Sequence, residues 1–192
     1  STWFRDYLYI PLGGSRGGTW IKVRNTFAIF LVSGFWHGAN WTFIIWGALN
    51  AIYFLPLLLT NNNRKNLGVV AEGNLLPSFK ELIAMLTTFG LTVFAWIFFR
   101  SKNISHAFSY IGGIFSETIL DKPLLNGKQA LFTILSIIFF LFFEWFGKGD
   151  KFALEKLTLY LKQPYRYFLY LLLALSVFFM AGEPAEFIYF QF

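Results

Sequence analysis

The chain has 192 residues and a formal net charge of +6, and 56% of its residues are hydrophobic while only 14% are charged. A soluble domain carries roughly 25% charged residues, so these side chains do not suffice to cover a water-soluble fold of this size. The chain contains no cysteine, which excludes disulfide bonds, thiolate metal sites and cysteine nucleophiles. We assign the basic net charge to lysines and arginines beside lipid headgroups and not to a nucleic-acid partner.

The N-terminal residues predict two interfacial segments followed by a short helix. One helical face at the start of the chain collects aromatic and apolar side chains, which is typical of a helix lying in the membrane interface: Trp3, Phe4, Tyr7 and Leu8. Trp20–Arg24 is expected to return to the interface, where its basic side chains reach the headgroups. Thr26–Trp36 is apolar but too short to cross a bilayer by itself.

Four apolar blocks predict membrane-spanning helices, since a span needs roughly 20 mainly apolar residues. They are Phe43–Leu59, Leu82–Phe99, Ala130–Phe143 and Tyr167–Ala181, and Ile104–Phe115 predicts a further interfacial helix. In lipid every backbone amide must be hydrogen-bonded within its own segment. The predicted fold class is therefore all-α, a multi-pass transmembrane helical bundle with short interfacial helices. Basic residues divide evenly between the two sides of these spans, so the orientation is left open.

The stretch VSGFWHGANWT, Val32–Thr42, places His37 between two hydrophobic segments. Ionisable side chains at membrane depth usually face a protein interior or a water-filled cavity. Desolvation there keeps an imidazole neutral and able to accept a proton. A structural histidine, hydrogen-bonded between helices, explains the same pattern about equally well. One histidine without a second histidine or a carboxylate nearby predicts no metal site.

The neighbours of this histidine suit a binding site if the next helix begins near the histidine. Asn40 and Trp41 then follow at i+3 and i+4 on one face, where Asn40 is placed to fix the imidazole tautomer or to bind a substrate oxygen. Trp36 and Trp41 are candidates for walls that exclude water. Gly34 and Gly38 are four residues apart and predict the close approach of another backbone.

Other polar positions give weaker signals. The run GGSRGG, Gly13–Gly18, lacks the spacing of a phosphate-binding loop and predicts a flexible turn, although Arg5 and Arg16 are placed to bind an anionic group near it. Asn50 is expected to hydrogen-bond across helices. Glu144 is expected to reach solvent from a helix end, and His106 is expected to be a surface residue in a loop. Both are thus expected to be structural and not catalytic.

Two blocks resemble the membrane-bound O-acyltransferase family, in its bacterial branch of alginate O-acetyltransferases and the teichoic-acid D-alanyl transfer protein. They are STWFRDYLYIPLGGSRGG, Ser1–Gly18, and FLVSGFWHGANWTFIIWGALNAIYF, Phe30–Phe54, with weaker likeness in FAWIFFRSKNISHAFSYIGGIF and the closing FIYFQF. The resemblance matches His37 to the active histidine of the family's WHG block and implies the role of general base. Many relatives of the alginate type carry a histidine where this chain has Asn50.

The resemblance also implies what the protein does and where. Residues 1–192 are expected to be the C-terminal part of one O-acyltransferase domain in the bacterial cytoplasmic (inner) membrane. An acyl thioester such as acetyl-CoA is the expected donor, with no bound cofactor, and an extracytoplasmic polysaccharide or an intermediate carrier is the expected acceptor. A periplasmic or cell-surface acyltransferase is the expected partner. The alternatives are a teichoic-acid D-alanyl transfer protein, a non-enzymatic transport or export component, and a catalytically silent scaffold.

Overall fold

The computed structural model describes residues 2–62, 68–116, 127–152 and 161–180, and every regular element in these ranges is a helix. A short turn, α1 (Thr2–Phe4), continues as a π-helix over Arg5–Tyr9. Six longer helices follow: α2 (Thr19–Trp36), α3 (Trp41–Leu59), α4 (Phe79–Arg100), α5 (Ile104–Ile114), α6 (Gly127–Phe146) and α7 (Gln163–Met180). The all-α prediction is confirmed for the described residues.

The four predicted spans all coincide with helices, but the described residues give them unequal support. The helices α3 and α4 are long and apolar enough to cross a membrane, whereas α6 contains a shorter apolar stretch, Ala130–Phe146. Only 22% of the apolar window of α3 and 11% of that of α4 is buried, so neither is the enclosed core helix of a soluble domain. Ala181, the last residue of the fourth predicted span, and the closing FIYFQF lie outside the described residues.

The helices divide between two compact units. The first unit contains α1 to α5 and is formed by the described residues up to 68 together with 76–116. The second contains α6 and α7 with the segment Val69–Leu75. Lys148 joins the parts of the second unit by donating to the carbonyl oxygens of Ala71 at 3.1 Å and Asn74 at 3.0 Å.

Helix α2 is continuous, and the prediction of an interfacial segment followed by a separate short helix is wrong. Its eighteen residues run without interruption from Thr19 to Trp36 because no proline stands among them to remove a backbone donor. The helix is therefore nearly as long as α3, with which it packs.

The loop between the π-helix and α2 is also more ordered than a flexible turn. Asn25, fully buried on α2, donates its amide to the carbonyl oxygens of Leu12 and Gly14, both at 3.0 Å. Arg24 donates to the Leu12 carbonyl as well, at 3.1 Å. These bonds satisfy loop carbonyls that would otherwise face an apolar surface, and they fix the loop against the helix.

The close approach predicted from glycine spacing occurs between α2 and α3, but its glycines are Gly34 and Gly47. A Cβ atom built on Gly34 lies 3.1 Å from the carbonyl carbon of Phe43 and closer still to its oxygen, and one on Gly47 meets the backbone of Phe30 in the same way. The two Cα positions face each other across the helix pair. A methyl group at either position would therefore push the helices apart.

Helix α4 is bounded by signals in its own sequence. Ser78 and Glu81 form a capping box, in which the Glu81 N–H donates to the Ser78 hydroxyl at 3.3 Å and the Ser78 N–H donates to the Glu81 carboxylate at 2.8 Å. Arg100 ends the helix, where a cation complements the helix dipole. This register brings the last turn of α4 beside the turn between α2 and α3.

Candidate active site around His37

His37 lies in the short turn between α2 and α3, as the C-terminal cap of α2. Its N–H donates to the carbonyl oxygen of Gly34 at 3.0 Å, and α3 begins only at Trp41. Gly38, with φ of 152°, occupies a backbone conformation that favours glycine and reverses the chain. His37 and Asn40 therefore both lie before α3, and the prediction that Asn40 and Trp41 follow His37 on one helical face is wrong.

Four aromatic rings surround the imidazole and form what we call the His37 cluster. The ring centroids of Trp36, Trp46 and Phe99 lie 5.2, 5.3 and 5.2 Å from that of His37, each in an edge-to-face arrangement, and Phe43 lies at 6.4 Å. Phe99 also packs edge-to-face on Phe43 and Trp46. Rings from α2, α3 and α4 thus meet around one partly buried imidazole.

The aromatic surroundings set the protonation state of His37. The residue lies outside the two candidate spans, and burial lowers the pKa of its imidazole below the usual value of about 6.5. Removal of water by the apolar rings disfavours the charged form, so the neutral imidazole is favoured near pH 7. A neutral imidazole can accept a proton from a hydroxyl group, which is the chemistry a general base requires.

Asn40 has a structural task that sequence spacing did not indicate. Its side-chain oxygen accepts from the Thr42 N–H at 3.1 Å and so caps the N-terminus of α3. Its amide nitrogen donates to the carbonyl oxygen of Lys102 at 2.9 Å, across 62 positions of sequence. Asn40 therefore ties the turn that carries His37 to the end of α4, where Phe99 lies. Its contact with substrate stays a prediction.

The two tryptophans proposed as walls differ in their relation to His37. Trp36 touches the imidazole ring and is itself approached by Phe4 of the first helical turn, with centroids 6.4 Å apart. It is nevertheless 62% exposed, and Trp41 is 71% exposed. The walls closest to the imidazole on its other sides are instead Trp46 and Phe99.

The two arginines proposed for anion binding lie on the surface at the N-terminal end. Arg5 donates its Nε to the carboxylate of Asp6 at 2.7 Å, and that hydrogen bond holds the pKa of Asp6 below its usual range. The Arg16 side chain is exposed, while the backbone N–H of this residue donates to the Gly13 carbonyl oxygen at 3.0 Å. Arg5 already has a carboxylate partner, which leaves Arg16 as the cation better placed for an anionic group.

Three further polar residues can be placed. The Asn50 amide donates to the Trp46 carbonyl oxygen at 2.8 Å, within its own helix, so the predicted bond across helices is wrong. His106 is exposed as predicted but lies in the first turn of α5 and not in a loop. Glu144 is exposed near the end of α6, beside a cavity of about 440 Å³ that opens between α6 and α7. Its reach to solvent agrees with the prediction for a helix end.

Sequence reasoning missed the three rings that complete the His37 cluster. Phe43 and Trp46 are close to His37 along the chain, but their orientation depends on where α3 begins. Phe99 is 62 residues away, and no local pattern distinguishes it from its phenylalanine neighbour Phe98. Within the ranges that the structure describes, no group of three or more histidine, aspartate or glutamate side chains is arranged to hold a metal ion.

Comparison with known proteins relates this site to a family. Residues 1–94 match the model of the membrane-bound O-acyltransferase family, a range that includes His37 and all of α2 and α3. A Pseudomonas aeruginosa protein named "Probable alginate O-acetylase AlgI" is 38% identical over 148 residues, which is 74% of this chain and 26% of that protein. A Helicobacter pylori peptidoglycan O-acetyltransferase is 38% identical over 114 residues, 59% of this chain and 20% of that protein.

The likeness extends to more distant organisms over a shorter stretch. A membrane-bound O-acyltransferase of Schizosaccharomyces pombe is 37% identical over 54 residues, 28% of this chain and 9% of that protein. No solved structure matches the chain. The chain spans about a quarter of the length of the bacterial relatives described above. It belongs to the membrane-bound O-acyltransferase family.

Proposed function

We propose that the protein is a membrane O-acyltransferase in which His37 acts as the general base. One observation carries this proposal: the partly buried imidazole, with its lowered pKa, lies among four aromatic rings from three helices within the part of the chain that carries the family likeness. This environment supports the proposal because a neutral, water-poor imidazole is the form suited to take a proton.

The proposed reaction moves an acyl group from a thioester to a hydroxyl. The imidazole nitrogen of His37 takes the hydroxyl proton while the acceptor oxygen attacks the thioester carbonyl carbon. The tetrahedral intermediate collapses, the C–S bond breaks, and the thiolate leaves with the proton that the imidazolium returns. One C–O bond is formed and one C–S bond is lost, so no oxidant, metal or other co-reactant is needed.

The names of the relatives support the choice of group and acceptor. One is named for acetylation of alginate and another for acetylation of peptidoglycan. We therefore propose acetyl as the acyl group, an acetyl thioester such as acetyl-CoA as its donor, and an extracytoplasmic polysaccharide or an intermediate carrier as its acceptor. A periplasmic or cell-surface acyltransferase is the proposed partner, to which the product is passed.

The proposed arrangement of the protein in the membrane rests on its apolar helices. We propose that α3 and α4 cross the inner membrane as part of a multi-pass bundle, with α1 and α5 lying in the interface. In that position the turn holding His37 is reached from an end of the spans. Five residues stay predicted substrate contacts: Trp36, Asn40, Trp41, Arg5 and Arg16. We propose that the two arginines bind anionic parts of the donor.

The test replaces His37 in the full-length protein, expressed in cells that lack their own enzyme. We expect His37→Ala and His37→Gln to reduce acetylation of the exported polysaccharide by roughly 10²- to 10⁴-fold, the usual contribution of general base catalysis. The matched control is Thr88→Ala, because the Thr88 hydroxyl bonds only to the Ala84 carbonyl of its own helix. Near-normal acetylation by a correctly inserted His37→Gln protein would remove His37 from the chemistry.

A second measurement separates an enzyme from a transport component or a silent scaffold. The purified protein should transfer the acetyl group of a radiolabelled thioester to a soluble oligosaccharide or to its partner protein. A transport component or scaffold would restore polysaccharide acetylation in cells only together with another acetylating enzyme, and it would transfer no label when purified.

A further inference from the structure

A second cavity lies between α4 and α5. It has a volume of about 390 Å³, and its apolar wall includes Val93, Trp96 and Ile97 from the last turns of α4. Trp96 packs on Phe99 of the His37 cluster, with ring centroids 5.6 Å apart. The cavity is thus a neighbour of the candidate active site, although His37 does not line it.

The rim of this cavity is cationic and rich in hydrogen-bond donors. Arg100, His106 and Tyr110 line it and are exposed, and no aspartate or glutamate is among its lining residues. Within the part of the chain that the structure describes, the Arg100 guanidinium forms no ion pair or hydrogen bond. The His106 ring and the Tyr110 hydroxyl also have no hydrogen-bond partner there. Arginine is charged at every physiological pH, so this rim favours an anion with several acceptor oxygens.

The position of the cavity along α4 indicates which anion fits. Arg100 is the last residue of a candidate membrane span, the level at which basic side chains meet lipid headgroups. Val93 lies seven residues before it, which is roughly 10 Å further into the apolar part of the helix. A ligand that fills this cavity therefore has an anionic group at one end and hydrocarbon at the other.

We propose that the cavity between α4 and α5 is a binding site for an anionic membrane phospholipid. The phosphate of the lipid contacts Arg100, His106 and Tyr110. The first part of one of its acyl chains lies against Val93 and Trp96. The bound chain would hold the Trp96 ring against Phe99 and so support the His37 cluster from outside. This proposal concerns lipid binding alone and does not depend on acyl transfer.

The experiment uses the full-length protein in detergent with phosphatidylglycerol that carries a photoreactive diazirine in one acyl chain. After irradiation and digestion, mass spectrometry locates the attached lipid. We expect the label on the C-terminal half of α4 and on α5, and unlabelled phosphatidylglycerol should compete better than phosphatidylcholine. Loss of the charge in Arg100→Gln should reduce labelling about tenfold, because one charge-assisted hydrogen bond is lost. Arg100→Lys, which keeps the charge and still binds phosphate as a point charge, should retain most of it.

The matched control is Lys80→Gln, an exposed cation near the other end of α4, roughly 30 Å away along the helix. It should leave labelling of the cavity unchanged. If Arg100→Gln aggregates, the pair His106→Gln and Tyr110→Phe gives the same readout at two exposed positions. The proposal is overturned if the wild-type label falls elsewhere, if Arg100→Gln and Lys80→Gln label alike, or if long-chain acyl-CoA displaces the label while phosphatidylglycerol does not.

Discussion

Replacing Gly34 by alanine tests the contact that positions the His37 turn. The added Cβ would lie 3.1 Å from the Phe43 carbonyl carbon, 3.5 Å from the Gly47 Cα, and nearer still to the Phe43 oxygen. Carbon and carbonyl oxygen rarely approach more closely than roughly 3.3 Å, so α2 and α3 would have to separate by about 1 Å. The atoms in the way belong to backbone and cannot rotate aside.

The expected cost is that of overpacking a close interface, about 1–3 kcal/mol in the free energy of unfolding. Alanine in place of glycine also favours the helix itself by up to about 1 kcal/mol, which partly hides the effect. Gly90 of α4 isolates the packing contribution, because a Cβ added there meets nothing within 4 Å. Gly90→Ala gains the helix preference without the clash, so the difference between the two variants should be about 1–3 kcal/mol.

The assay is reversible denaturant unfolding in detergent, followed by circular dichroism, with acetyl transfer measured in parallel. Gly34→Ala should also lose activity, because separation of the helices moves Phe43 and Trp46 relative to His37. Combining it with Gly47→Ala should cost less than the sum of the single changes, since both glycines serve one contact. Equal stability of Gly34→Ala and Gly90→Ala would refute the close crossing.

Four further predictions concern the loop, a buried hydroxyl and the imidazole. Asn25→Ala should destabilise the fold by about 1–3 kcal/mol and speed tryptic cleavage after Arg16, while the other tryptic sites keep their rates. Thr42→Val should raise the melting temperature, because the fully buried Thr42 hydroxyl has no hydrogen-bond partner among the described residues; a lower melting temperature would reveal such a partner. Because the folded pKa of His37 is lowered, the unfolded chain binds more protons than the folded chain as the pH falls through about 6.5, so the contribution of His37 to stability should decrease on acidification. Activity should fall over the same range because a protonated imidazole cannot accept the hydroxyl proton. Phe99→Ala admits water and should move the acid limb of the activity profile to higher pH; an unmoved limb would mean that Phe99 does not desolvate the imidazole.

The sequence determined where the long apolar helices lie and which residue to suspect. Long apolar blocks marked α3 and α4 because hydropathy is a property of consecutive residues and needs no knowledge of neighbours in space. His37 was recognisable for the same reason, as an ionisable side chain between apolar segments within a family-like block. The glycine at position 34 also predicted a close approach, although not its partner.

Only the tertiary structure decided what surrounds the histidine. Phe99 reaches it across 62 positions because the Asn40 amide binds the Lys102 carbonyl and brings the end of α4 to the turn. Asn50 was expected to bond across helices, but its partner is a carbonyl of its own helix, and a polar side chain alone does not indicate which acceptor is nearer. In VSGFWHGANWT the residue types therefore predicted a proton acceptor. The packing of three helices lowers the pKa of the His37 imidazole and provides the rings around it, because desolvation depends on atoms that are near in space and not in sequence.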